Sequence, residues 1–171
     1  MKKKYENKKG MTLFISIVVM SILLLVSFAV INITLKATLF ASSGKASQYA
    51  FFAADAGIEC AIYWDSKFEP SKFDVSANGS PINCGGHSIS TGQNFFGTIV
   101  RIGGLEAAAE LNTSIFGFVM DGGLVENQVS HCAIVEVTKN ADGSTNIYSR
   151  GYNTCDASHP RRVERGVEVT Y

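Results

Sequence analysis

An α+β fold, with one long N-terminal helix followed by a small antiparallel β-rich domain, is what this sequence predicts, and three observations carry the prediction. Met11 to Leu35 is an unbroken stretch without a formal charge, dominated by Ile, Val, Leu, Met and Phe. No proline occurs before Pro70, so helix-compatible sequence continues well past that stretch. From Ser66 onward, Gly and Asn punctuate short apolar runs, the pattern of strands joined by turns.

The first element is the apolar stretch. Its 25 residues would run roughly 37 Å as a helix at about 1.5 Å per residue, enough to cross a ~30 Å hydrocarbon layer with some tilt. An ordinary secretory signal peptide has an apolar core of about 7–15 residues with a small-residue cleavage site close behind. Here the small residues Ala41, Ser42, Ser43 and Gly44 lie well beyond the core, so the stretch reads as a membrane span.

Lys2, Lys3, Lys4, Lys8 and Lys9 precede it, with Glu6 the single acid among them. By the positive-inside rule this end stays cytoplasmic and everything after Lys36 faces outward. Without residues 1–10 the chain keeps 10 of its 15 basic and 14 of its 15 acidic residues, a net charge of −4. Such an outer portion offers no electrostatic reason to expect a nucleic-acid partner.

The junction KKKYENKKG-MTLFISIVVM places Gly10 where the basic segment meets the apolar helix. It resembles the leader of type IV prepilins. The resemblance implies cleavage by prepilin peptidase between Gly10 and Met11 and N-methylation of Met11 as the new N-terminus. It also implies a filament or assembly role, with other pilins as partners through the helix, lipid of the cytoplasmic membrane around it, no cofactor and no catalysis. Major pilins carry a glutamate at the fifth mature position, and here that position is Ile15. An intramembrane carboxylate is costly and kept for a partner, so its absence points to a minor pilin or a pseudopilin. Further along, QYAFFAADAGIECA is similar to a segment of PilX-type minor pilins, matched here by Ala50, Ala53, Ala54, Asp55, Ala56, Gly57, Ile58 and Glu59.

The domain reading follows: 1–10 a cytoplasmic leader, 11–35 the transmembrane half of the helix, 36–64 its extracytoplasmic half, and 65–171 an outer domain. In the second half Phe51, Ala54, Ile58, Ala61 and Ile62 form an apolar stripe expected to pack against the outer domain. Lys45, Gln48, Asp55 and Glu59 fall on another side, with Phe52 among them. Asp55 and Glu59, four apart, could suggest acid–base chemistry, but a solvated or intersubunit helix face accounts for them more simply.

Strands are expected at 95–102, 114–120, 131–139 and 144–152, the last two joined by the turn Asn140-Ala141-Asp142-Gly143. Residues 103–112 read equally as helix or loop. The terminal RRVERGVEVTY alternates Val167, Val169 and Tyr171 against Glu168 and Thr170, one buried face of a last strand.

Four cysteines in an oxidising compartment make disulfides the default. Of three pairings the two local ones, Cys60–Cys84 and Cys132–Cys155, are expected, each closing a loop of a little over 20 residues. A metal centre would need short chelate spacing. His87 lies near Cys84 and His131 adjoins Cys132, but no Cys-x-x-Cys exists, so no metal is expected. Neither a nucleophile motif nor a phosphate-binding loop surrounds the hydroxyls, histidines or paired glycines. Asn78-Gly-Ser and Asn112-Thr-Ser match the glycosylation pattern and read as incidental in a bacterial chain. The competing function class is a membrane-anchored ectodomain that binds a ligand or catalyses a reaction without assembling.

Overall fold

The computed structural model describes residues 9–77, 81–103, 112–120 and 130–171. Residues 1–8 of the expected leader, most of the undecided segment 103–112, and Asn78 to Ser80 lie outside the described residues. The fold is α+β: helix α1 (Lys9–Ser66), then strands β1 (Ile82–Cys84), β2 (His87–Ile89), β3 (Asn94–Phe95), β4 (Thr98–Ile99), β5 (Thr113–Met120), β6 (His131–Lys139), β7 (Thr145–Tyr152) and β8 (Glu164–Thr170). The chain divides into two compact units between Ser43 and Gly44, and each is described by itself.

In the first unit every residue from Met11 to Ser43 is exposed, including Leu24 at 70% and Leu25 at 71%. The most apolar window has a mean hydropathy of 3.0 with none of it buried. A long helix of this composition is stable where lipid or another apolar surface surrounds it.

In the second unit four strands form an antiparallel meander in the order β5-β6-β7-β8. Its register is fixed by pairs such as Phe116↔Val135, Val137↔Ile147 and Ile147↔Val169. The face toward the helix carries Phe116, Phe118, Val135, Val137 and Ile147, which bury Ile58 and Ala61 together with Phe73, Ile82 and Ile102. Phe73 stacks on Phe116 with ring centroids 5.7 Å apart. The opposite face holds a smaller cluster of Cys132, Ile134 and Tyr152, partly covered by Phe95, Ile115 and Cys155.

The expected strand over 95–102 is instead a hairpin. Phe96 and Gly97 both have positive φ, 48° and 84°, and the Asn94 side chain accepts the Gly97 N–H at 2.9 Å. Two consecutive positive φ values give the turn whose twist suits a two-residue hairpin, so the run folds back on itself. Gly85 and Gly86, at 58° and 81°, do the same between β1 and β2. The turn after β6 forms as expected, with Asp142 accepting both the N–H and the hydroxyl of Ser144 at 2.9 and 2.7 Å.

The sheet approaches the helix through small residues. A Cβ placed on Gly151 would sit 2.1 Å from the Ala50 carbonyl oxygen, and one on Gly57 would sit 2.2 Å from Ser149 Oγ. Ala50, Ala53, Ala54 and Ala61 are fully buried and Ile58 nearly so. This corrects the expected packing stripe. Phe51 is 48% exposed and Ile62 half-buried, because backbones this close admit only small side chains at the line of contact. The buried stripe is turned toward Ala50, Ala53 and Gly57.

Candidate functional site on the N-terminal helix

The polar side chains inside the apolar stretch show how it tolerates lipid. Ser16 donates to the Leu13 carbonyl at 2.8 Å, Ser21 to Val18 at 2.8 Å, Asn32 to Phe28 at 3.0 Å and Thr34 to Val30 at 2.8 Å. The three hydroxyls and one Asn32 N–H are thus satisfied within the helix, which lowers their hydrogen-bonding demand on hydrocarbon. A shallow groove lined by Ser16, Ile17, Met20, Ser21 and Leu24 runs along this surface. The two serines are small enough to let another helix come close.

Gly10 lies in the first turn of α1, Met11 is 71% exposed and Ile15 is 52% exposed. Ile15 presents only hydrocarbon there, and no carboxylate occurs between Met11 and Leu35. Past Ser43 the outward side of the helix carries Phe51 and Phe52, 48% and 63% exposed, beside the exposed Asp55 and Glu59. The two carboxylates thus face solvent.

Of the two expected disulfides, Cys60–Cys84 is present with Cα atoms 5.9 Å apart. It joins the last turns of α1 to β1, where the Trp64 indole also donates to the Asn83 carbonyl at 3.0 Å. Cys132–Cys155 is corrected: the structure brings the two side chains together but does not bond them. The contact with Cys155, and then burial, push the Cys132 thiol up.

A buried polar knot at the far end of the helix was not anticipated. Asp65 takes an ion pair from Lys139 at 2.6 Å and hydrogen bonds from Tyr171 at 2.7 Å and Ser71. Burial is the largest single influence on Asp65 and pushes its carboxyl up. The bonds from Lys139, Ser71 and Tyr171 with the Lys139 charge outweigh it and hold the group below the usual range. Burial, then the bond to Asp65, raise the Tyr171 phenol. The only sequence signal was an acid closing the apolar pattern of the helix, which is too common to single out. The knot pins helix, β6, β7 and the terminal strand at one point and is fully engaged in doing so.

His131 donates from Nδ1 to the Asn153 carbonyl at 2.8 Å and stacks on Tyr49, and Cys84 is consumed by its disulfide. Among the described residues no three His, Cys, Asp or Glu side chains converge as metal ligands.

Residues 9–59 match the family model described as PilX N-terminal. No curated protein and no solved structure matches the chain. The match covers the exposed apolar surface and the small-residue packing face just described. It supports a PilX-type, pilin-like protein of the minor pilins related to type IV pili, and with the apolar helix it supports single-pass anchoring in a membrane.

Proposed function

We propose that this PilX-type chain is a minor pilin or pseudopilin, a non-enzymatic structural or assembly component of a type IV pilus-like filament or of a related secretion or uptake apparatus. The observation that carries the reading is the PilX N-terminal match across residues 9–59. It falls on a helix whose first part exposes apolar surface on all sides, the surface that other pilins would cover. Prepilin peptidase removes residues 1–10, the amine of Met11 is methylated, and the outer domain remains on the extracytoplasmic side.

Ile15 sets the rank. Each subunit added to a filament brings a charged amine into apolar surroundings, and a carboxylate waiting there lowers the desolvation cost. A subunit with isoleucine at that position offers no such partner, which suits a sparse or tip position.

Mass spectrometry of the mature N-terminus tests the reading. Expected is a chain beginning at N-methylated Met11, and Gly10→Leu should leave the precursor uncut. An intact lysine-rich N-terminus in cells with active prepilin peptidase would instead indicate a plain membrane-anchored ectodomain. Quantitative proteomics of purified filaments tests the rank, with this chain expected to be scarce beside a glutamate-bearing pilin.

A further inference from the structure

The outer unit is acidic, yet its cations are not evenly spread. After Ser43 the chain carries nine basic and 14 acidic residues, a net charge of −5. Four of the nine gather at one end of the sheet. Arg165 donates to the Ser47 hydroxyl at 2.8 Å. Lys45 lies over the Tyr49 ring at 5.5 Å, and Tyr49 stacks on His131, which bonds the Asn153 carbonyl. Asn153 in turn holds the Arg161 carbonyl at 3.1 Å, and the Arg162 guanidinium covers Tyr152 at 3.8 Å. Lys45, Arg161 and Arg165 are exposed and Arg162 is half-buried.

Among the described residues none of these cations sits in an ion pair, although acids nearby offset part of their charge. The ion pairs join Lys139 to Asp65 and Arg150 to Glu136. The two acids on the same stretch, Asp156 and Glu164, leave the patch an excess of two positive charges, and Asp156 feels Arg162 directly. Asp156 accepts the N–H and hydroxyl of Ser158 at 2.8 and 2.6 Å, and Glu164 faces the Tyr152 hydroxyl.

We propose that Lys45, Arg161, Arg162 and Arg165 form a docking surface for the anionic phospholipid headgroups of the bilayer that holds the apolar helix. The inference rests on the membrane-anchor reading and adds to it. Lys45 follows Leu35 by ten residues, a stretch that spans at most about 35 Å even fully extended. The patch is therefore tethered near the headgroups whatever the path between. Each cation near an anionic surface strengthens attachment about fivefold and acts only within a Debye length, so a net excess of two on a short tether suffices for a salt-sensitive contact. Tyr49 beneath Lys45, only partly buried, offers an amphipathic ring of the kind that settles at such an interface. The remainder of the unit, being acidic, is repelled by the same surface, which orients the patch toward it.

The test uses the full chain in lipid nanodiscs, of phosphatidylcholine alone or with phosphatidylglycerol included, followed by amide hydrogen exchange of the segment 156–165. Expected is exchange slowed at least about fivefold in the anionic discs, reversed by high salt and abolished by Arg161→Glu with Arg165→Glu. Unchanged protection of β6 and β7 in that variant would show that it folds. Equal exchange in both disc types would overturn the proposal. So would protection in neutral discs that follows added inorganic phosphate, or that grows with copies per disc, which would assign the patch to soluble anions or to the acidic helix face of a second copy. Failure of the chain to elute with discs of either type would instead overturn the membrane-anchor reading itself.

Discussion

The two parts of α1 are built from the same backbone and solve opposite problems. Up to Ser43 the helix exposes large apolar side chains on every side and returns several of its polar groups to its own carbonyls. From Gly44 it does the reverse: small residues face inward, two aromatics face outward, and a sheet lies against it closely enough that glycine is required on both sides. In the first part apolar side chains meet an apolar medium and no particular neighbour. In the second they meet one particular partner, so shape decides which residues fit.

The sharpest way to break the comparison is to place one charge in each part. Ile58→Asp puts an unpaired carboxylate where the side chain is 5% exposed and should cost more than about 4 kcal/mol, unfolding the outer unit. Leu24→Asp should leave the melting of that unit unchanged and weaken membrane insertion by about 3 kcal/mol. Equal losses of thermal stability would erase the distinction.

Next in size are two constraints confined to the second part. Breaking Cys60–Cys84 by serine substitution should lower stability by about 3 kcal/mol on the chain-entropy account, read by denaturant titration without reductant. Gly151→Ala adds one methyl group against the Ala50 carbonyl and should cost about 2–3 kcal/mol, whereas Gly44→Ala, with open space around it, should stabilise the helix by a few tenths to 1 kcal/mol. Indifference at Gly151 would mean that helix and sheet stand further apart.

The Asp65 knot sharpens the comparison through pH. Because its folded-state pKa is depressed, Asp65 contributes stability that is present above the ordinary carboxylate value near pH 4 and is lost as pH falls through the folded value. Asp65→Asn should cost about 2 kcal/mol at neutral pH and flatten this acid limb, seen as a melting temperature less sensitive to acidification. An unaltered acid limb would assign it to other carboxylates.

The smallest effect tests the outward face. Glu59 is exposed and no strand covers it, so Glu59→Lys should change folding stability by under about 0.5 kcal/mol. A loss comparable to that at Ile58 would show that the face is buried after all.

Much of this was legible from residues alone. An uncharged run of 25 residues has one economical environment, and the turn Asn140-Ala141-Asp142-Gly143 between 131–139 and 144–152 announces their hairpin. The rotation of the packing stripe was not legible. Hydrophobicity ranks Phe51 above Ala50, while the contact is limited by backbone separation, set by Gly57 and Gly151 from elements 94 residues apart. The hairpin at Phe96 escaped for a related reason. Its apolar run scores as strand, and nothing local announces that a phenylalanine takes a left-handed conformation between Asn94 and Gly97. The cysteine pairing was half visible, since chain proximity predicts which thiols meet but not that Cys132 and Cys155 stand unbonded.

The self-bonding of Ser16, Ser21, Asn32 and Thr34 has a consequence for traffic. Donors occupied at home carry no demand from one apolar setting to another. Leaving hydrocarbon for the flanks of neighbouring helices breaks none of these bonds, so the polar part of the transfer is close to neutral. Such a helix is a portable part, and the work of moving it falls on its charged end.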